Sequence, residues 1–110
     1  METKVDLMQS RIAMHNGNKL KLGLFAANCS NGRAMTTAPE RWLADWDSNE
    51  KLAVLADEVG IDFMLPIARW DGYRGETDHQ GTTLEAITWA TGLLAHTKRM
   101  TVFATVHAPL

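Results

Sequence analysis

Three apolar stretches, alternating with two segments of helical period, constrain this chain more than any other feature. Leu22-Gly-Leu-Phe-Ala-Ala-Asn-Cys29 reads as a strand apolar on both faces, the pattern of a parallel strand covered on both sides. Phe63-Met-Leu-Pro-Ile-Ala-Arg69 and Thr101 to Leu110 predict a second and a third strand. Between them lie one helical segment ending near Gly60 and another from Leu84 to His96. A βαβαβ order implies an α/β fold of parallel strands joined by right-handed crossovers, because parallel neighbours need a covering helix between them. Sites in such folds gather at the carboxyl ends of the strands. The series then stops after the third strand.

The helices carry further signals. In the first, Leu52, Leu55, Ala56 and Val59 recur at helical spacing and predict the buried stripe. Asp45, Asp47 and Ser48 are all competent N-caps, and Gly60 suits the left-handed residue that ends a helix. For the second, Thr82-Thr-Leu-Glu85 fits a capping box with Thr82 as N-cap, so Glu85 reads as a structural cap rather than a catalytic acid. Leu84, Ile87, Thr91 and Leu94 would form its buried face, with Lys98 and Arg99 placing positive charge beyond its end. Pro66 removes a ladder donor and predicts a bulge in the second strand. Asn16-Gly-Asn18 is a turn that sets residues 1–19 apart as an N-terminal extension. The stretch after the first strand, about fifteen residues without periodicity, is longer than most such loops, and long loops tend to be functional.

Composition narrows the function classes. A net charge of −2 leaves no electrostatic footprint for nucleic acid. No apolar run approaches the length of a bilayer span, and the acidic start lacks the apolar core of a secretory signal. The one cysteine, Cys29, cannot form an internal disulfide and agrees with a reducing, cytoplasmic setting. His79, His96 and His107 are too far apart in sequence to suggest zinc, so no metal is expected.

The polar groups expected at strand ends are Asn28 and Cys29, then Arg69, then Thr105 and His107. They suit binding better than hydrolysis, since no close carboxylate pair and no nucleophile elbow is present. Gly72, Gly75 and Gly81 precede no helix at the spacing of a phosphate loop. Arg69, ending a buried strand, requires an anionic or carbonyl partner. Cys29 reads equally as a small buried hydrophobe or a ligand contact. Trp89 is a core residue by its place within the second helix, whereas Trp42, Trp46 and Trp70 on the strand-end loops suit either packing or ligand cover.

Ile61 to Tyr73, Thr83 to Arg99 and Thr101 to Thr105 together resemble the luciferase-like flavin-dependent monooxygenases, most closely the pyrimidine and alkanesulfonate monooxygenase branch. The resemblance spans residues 20–110. It rests on a Leu-Glu-x-x-Thr helix start, a small-residue helix ending in Thr-x-Arg and the Ala-Thr strand that follows. It implies a TIM (β/α)8 barrel, of which these residues would be the N-terminal part, cut after strand three. It also implies reduced FMN from a separate NAD(P)H-dependent flavin reductase, and dioxygen that forms a flavin (hydro)peroxide to oxygenate a small organic substrate. By position, Ala68, Arg69, Ala104 and Thr105 would contact the flavin, Arg69 standing where that branch has lysine. A non-prolyl cis peptide occurs at the Ala104–Thr105 position in some relatives. Asn28 and Cys29 would form the floor of the substrate side, with Trp70 and His107 as its neighbours. The full-length protein is expected to be a homo-oligomer and these residues alone to be inactive. A deazaflavin oxidoreductase of the same barrel and a small non-catalytic α/β interaction module are the competing readings.

Overall fold

The computed structural model describes Arg11 and residues 13–107; residues 1–10 and 12, and the final residues 108–110 of the third expected strand, lie outside the described residues. A 3-10 turn, Ala13–His15, precedes β1 (Gly23–Phe25), α1 (Trp46–Val59), β2 (Phe63–Leu65), α2 (Ala86–His96) and β3 (Thr101–Val102). The strands form one parallel sheet in the order β1-β2-β3, with Gly23 beside Phe63 and Phe63 beside Thr101. The expected α/β alternation is therefore present. No helix among the described residues is long and apolar enough to cross a membrane.

All three strands are shorter than the sequence suggests, for local reasons. Ala26 has φ 71, which turns the chain out of the sheet after a last bond from its N–H to the Leu65 carbonyl, 3.0 Å long. Ala26 to Cys29 thus form a buried turn rather than strand. Pro66 causes no bulge: the ladder stops at Leu65, and Pro66 follows it fully buried. β1 is also not covered on both sides, since Phe25 is 48% exposed.

Side chains alternate across the sheet. Leu24, Met64 and Val102 face the helices and pack with Trp89, Ala90, Leu93, Ala53 and Ala56 as the core. Phe25, Phe63, Leu65 and Phe103 lie on the opposite face by the same alternation, where Phe63 and Phe103 meet edge-on at 5.7 Å. That face has no covering layer among the described residues.

Asp45 is the N-cap of α1, accepting from the Ser48 N–H at 2.9 Å, and Gly60 closes the helix at φ 94. The expected stripe is rotated, however. Ala56 is buried as expected and Leu52 packs against the core, but Asn49 and Ala53 are the other buried residues, while Leu55 and Val59 are 57% and 66% exposed. The cause is Trp89 on α2, whose indole fills the helix–helix contact opposite small alanines and donates to Asn49 Oδ1 at 2.8 Å. A buried indole N–H left without an acceptor costs more than an exposed leucine.

α2 departs in the same way. Its buried face is Ala86, Trp89, Ala90 and Leu93, leaving Ile87 and Leu94 outward. Thr82 is not the N-cap. Residues 82–84 run extended against the β1 turn, with Ser30 N–H on the Thr82 carbonyl and Leu84 N–H on the Asn28 carbonyl, so the helix starts at Ala86. Glu85 is the cap, accepting from the Thr88 N–H. Arg99 also serves a different helix from the one expected: its guanidinium donates to Asp57 and Ile61 carbonyls at the end of α1. The end of α2 is held instead by Arg11, from the expected extension, on the Leu94 and Met100 carbonyls.

Candidate active site

The carboxyl ends of β2 and β3 and the amino end of α2 enclose a cavity of about 360 Å³, within the range that holds small molecules. The chain leaving β2 supplies Ala68, Arg69 and Trp70, and the chain leaving β3 supplies Thr105, Val106 and His107. Gly72, Gln80, Gly81 and Thr83 of the connecting loop complete the wall with Glu85 and Ala86 of α2. Five of the eight expected site residues thus meet: Ala68, Arg69, Trp70, Thr105 and His107.

Ala104, Asn28 and Cys29 do not line the cavity. Asn28 is fully buried and knits the loops together, its Nδ2 donating to the Ile67 and Leu84 carbonyls and its Oδ1 accepting from the Ile67 N–H. Those bonds leave its carboxamide no spare donor for a ligand. Cys29 lies beside it, fully buried, with Thr83 donating to its sulfur at 3.8 Å. Burial pushes its thiol up, against the lowering effects of Thr83 and of the Arg69 charge. All described peptide bonds are trans, Ala104–Thr105 included.

Arg69 finds neither an anion nor a carbonyl. Its guanidinium stacks over the Tyr73 ring, 4.6 Å from the centroid, and donates to the Tyr73 hydroxyl at 3.3 Å. Its Nε is buried with no partner. Thr105 Oγ1 and Gln80 Oε1 share that condition, so three of the four unpartnered buried side-chain polar atoms among the described residues belong to this one wall. Such groups are rare because each costs about 1–3 kcal/mol. Across the mouth, His107 Nε2 donates to the Ala68 carbonyl and joins the ends of β3 and β2. Glu85 stays ionised at the rim, because the Thr88 N–H holds its carboxyl below the usual range.

The tryptophans divide. Trp42 donates to the Ala27 carbonyl at 2.7 Å and packs on the core, and Trp46 opens α1 and lies against Gly92, where a Cβ would come within 2.4 Å of its ring. Trp70 alone of the three lines the cavity, 89% exposed. Gln80 escaped the sequence reading, since a glutamine in a polar turn carries no periodic signal. It is 1% exposed because the loop folds back on the β1 turn, its N–H on the Ser30 carbonyl and its Nε2 on the Gly32 carbonyl.

Residues 20–110 match the family model of luciferase-like monooxygenases. The pyrimidine monooxygenase RutA of Methylorubrum populi is 27% identical over 90 residues, 82% of this chain and 24% of that protein. Its namesake in Acinetobacter baylyi is 28% identical over 86 residues, 78% of this chain and 23% of the relative. The Caulobacter vibrioides protein is 28% identical over 87 residues, 79% and 25% of the two chains. The chain thus spans about a quarter of the length of the curated relatives it matches.

Proposed function

The chain belongs to the luciferase-like monooxygenase family, and from that premise we propose that its cavity holds part of a reduced flavin, FMN, in a protein that oxygenates a small organic substrate with dioxygen. The observation that carries this reading is the cluster of unpartnered polar atoms in one wall at the strand ends. The residues present fit a flavin. Its ring edge alternates carbonyl acceptors with an N–H donor, and the wall offers Arg69 Nε as donor, Gln80 Oε1 as acceptor and Thr105 Oγ1 as either. A bound reduced flavin supplies the electrons that activate dioxygen.

In this reading Arg69 and Thr105 bind the ring edge. Ala68 keeps the approach beside Arg69 free of bulk, and Ala104 backs Thr105. Trp70 and His107 border the substrate side, with Trp70 offering an aromatic face. Asn28 and Cys29 act from beneath, holding the ends of β1 and β2 in register with the start of α2. The three strands are the first three of an eight-stranded barrel, following an extension of residues 1–19. The open face bearing Phe25 and Phe103 supports that architecture over a self-sufficient module, which would bury such a face. A flavin reductase, a homo-oligomeric full-length protein and a cytoplasmic location go with the same reading. Pyrimidines, sulfonates and sulfones are the candidate substrates.

Flavin titration of the purified 110 residues, followed by flavin fluorescence, tests the proposal. We expect weak, saturable binding and no turnover, because these residues would supply only part of a flavin site. Absence of saturable binding counts against a flavin site here, and turnover by these residues alone counts against the partial barrel.

A further inference from the structure

We infer that Tyr73 is a positioning residue, which holds the Arg69 guanidinium in one orientation so that its terminal N–H groups are already ordered when a ligand arrives. The inference rests on the flavin-monooxygenase reading for the ligand that those groups meet. The holding itself rests on geometry alone.

An arginine is poorly suited to such a task unaided. Its side chain carries about 2 kcal/mol of rotamer entropy, which a ligand must otherwise remove on binding. Arg69 is only half-buried and forms no ion pair among the described residues. Tyr73 restrains it in two ways. Its ring lies beneath the guanidinium carbon, 4.6 Å from the centroid, and its hydroxyl accepts from Nη2 at 3.3 Å. A stack alone lets the guanidinium turn above the ring, and the hydroxyl bond opposes that turn. Nε is closed off, whereas Nη1 is neither bonded nor closed off. The hydrogens left for a ligand are therefore those of Nη1 and the second hydrogen of Nη2.

Tyr73 can hold Arg69 because its own loop is pinned. The Tyr73 N–H donates to the His79 carbonyl at 2.9 Å, and the two rings pack at 5.4 Å. His79 is 2% exposed, and Gln80 beside it is bound to the β1 turn through the Ser30 and Gly32 carbonyls. Gly72 lies so close to the Gly81 backbone that no Cβ fits between them. The Tyr73 ring, by contrast, is 55% exposed and lies outside the core cluster. A ring anchored through its backbone but left out of the core contributes little to folding. Apart from His79, the one side chain it engages is Arg69.

The test has two arms, both on the 110-residue chain. The variants are Tyr73→Phe, which keeps the stack, and Tyr73→Leu, which loses it, each with and without Arg69→Met. The first arm needs no ligand. Heteronuclear NMR follows the Arg69 Nε–H signal, assigned through its own backbone. Wild type should give a separate, slowly exchanging signal, Tyr73→Phe should keep it, and Tyr73→Leu should shift it to the position of mobile arginines. In the second arm, FMN affinity should fall about fivefold in Tyr73→Leu and less than about twofold in Tyr73→Phe. With Arg69→Met already present, Tyr73→Leu should cause no further fall. An equal loss in both backgrounds overturns the inference, since Tyr73 would then act without Arg69. Unchanged FMN affinity in Tyr73→Leu also overturns it, as does a wild-type Nε–H that exchanges like a free side chain. If no chain binds FMN while the Nε–H signal behaves as expected, the flavin reading fails and the holding of Arg69 stands. The wild-type spectrum needs no variant to fold.

Discussion

Asn49 Oδ1 accepts the indole N–H of Trp89 at 2.8 Å, and this buried bond sets how α1 lies on α2. Asn49 is itself tied down, its Nδ2 donating to the Asp45 carbonyl at 3.0 Å. Asn49→Leu strands the indole N–H, while the Asp45 carbonyl keeps its bond from the Asn49 backbone N–H, and should cost about 1–3 kcal/mol in a denaturant melt. Trp89→Phe in that background removes the orphaned donor, so the double variant should lose less than the two single losses summed. Strict additivity would show that the pair is not coupled.

Asp57 predicts an acid-dependent weakness. Burial pushes its carboxyl up, but the Lys98, Met100 and Arg99 N–H groups and the Arg99 charge outweigh this, and it lies below the usual range. A folded value below the unfolded one means stabilisation that is complete above the ordinary aspartate range and lost as pH falls through the depressed value. Asp57→Asn should therefore lower Tm at neutral pH, and its Tm should converge on that of wild type in acid. A difference between the two that is constant with pH would contradict the assignment.

Arg69 tests the cavity directly. Arg69→Lys keeps the charge but loses the Nε donor and the flat contact with Tyr73, so flavin binding should weaken about tenfold. Arg69→Met should weaken it further, with Tm nearly unchanged because the guanidinium makes few structural bonds. A fall in Tm matching the fall in affinity would reassign the residue to folding.

Gly72 links loop packing to the site. A Cβ there would lie 2.7 Å from the Gly81 backbone and 2.8 Å from the Gln80 carbonyl. These are backbone atoms and cannot rotate away, so Gly72→Ala should displace the loop and cost about 1–3 kcal/mol. Ligand affinity should fall with it, measured by the same titration. An unchanged affinity would mean that the loop position does not matter to the cavity.

Cys29 should be chemically quiet in the folded chain. It is fully buried and its thiol is pushed up by burial, so little thiolate is present to attack a disulfide reagent. Modification by a chromogenic disulfide should be slow under native conditions and fast in denaturant. Rapid native labelling would place the sulfur within reach of the cavity.

The sequence by itself determined what depends on neighbours along the chain. The strand–helix alternation and the Gly60 stop follow from residue types acting over a few positions, whereas Asp45, Asp47 and Ser48 stayed equally competent caps until the structure selected Asp45. Because strand order brings strand ends together, Arg69, Trp70, Thr105 and His107 could be assigned to one end of the sheet before any coordinates, whereas Ala68 entered only through the family resemblance. The tertiary structure alone decided which helical faces are buried and which polar atoms are left over. Leu55 and Val59 lost to Asn49 and Ala53 because a buried indole on another helix needed an acceptor and room. Arg11 holds the end of α2, and Gln80 enters the cavity wall, through bonds to residues far away in sequence. Periodicity cannot register such contacts: it records which side of a helix is apolar, whereas burial goes to the side whose partners satisfy the most costly groups.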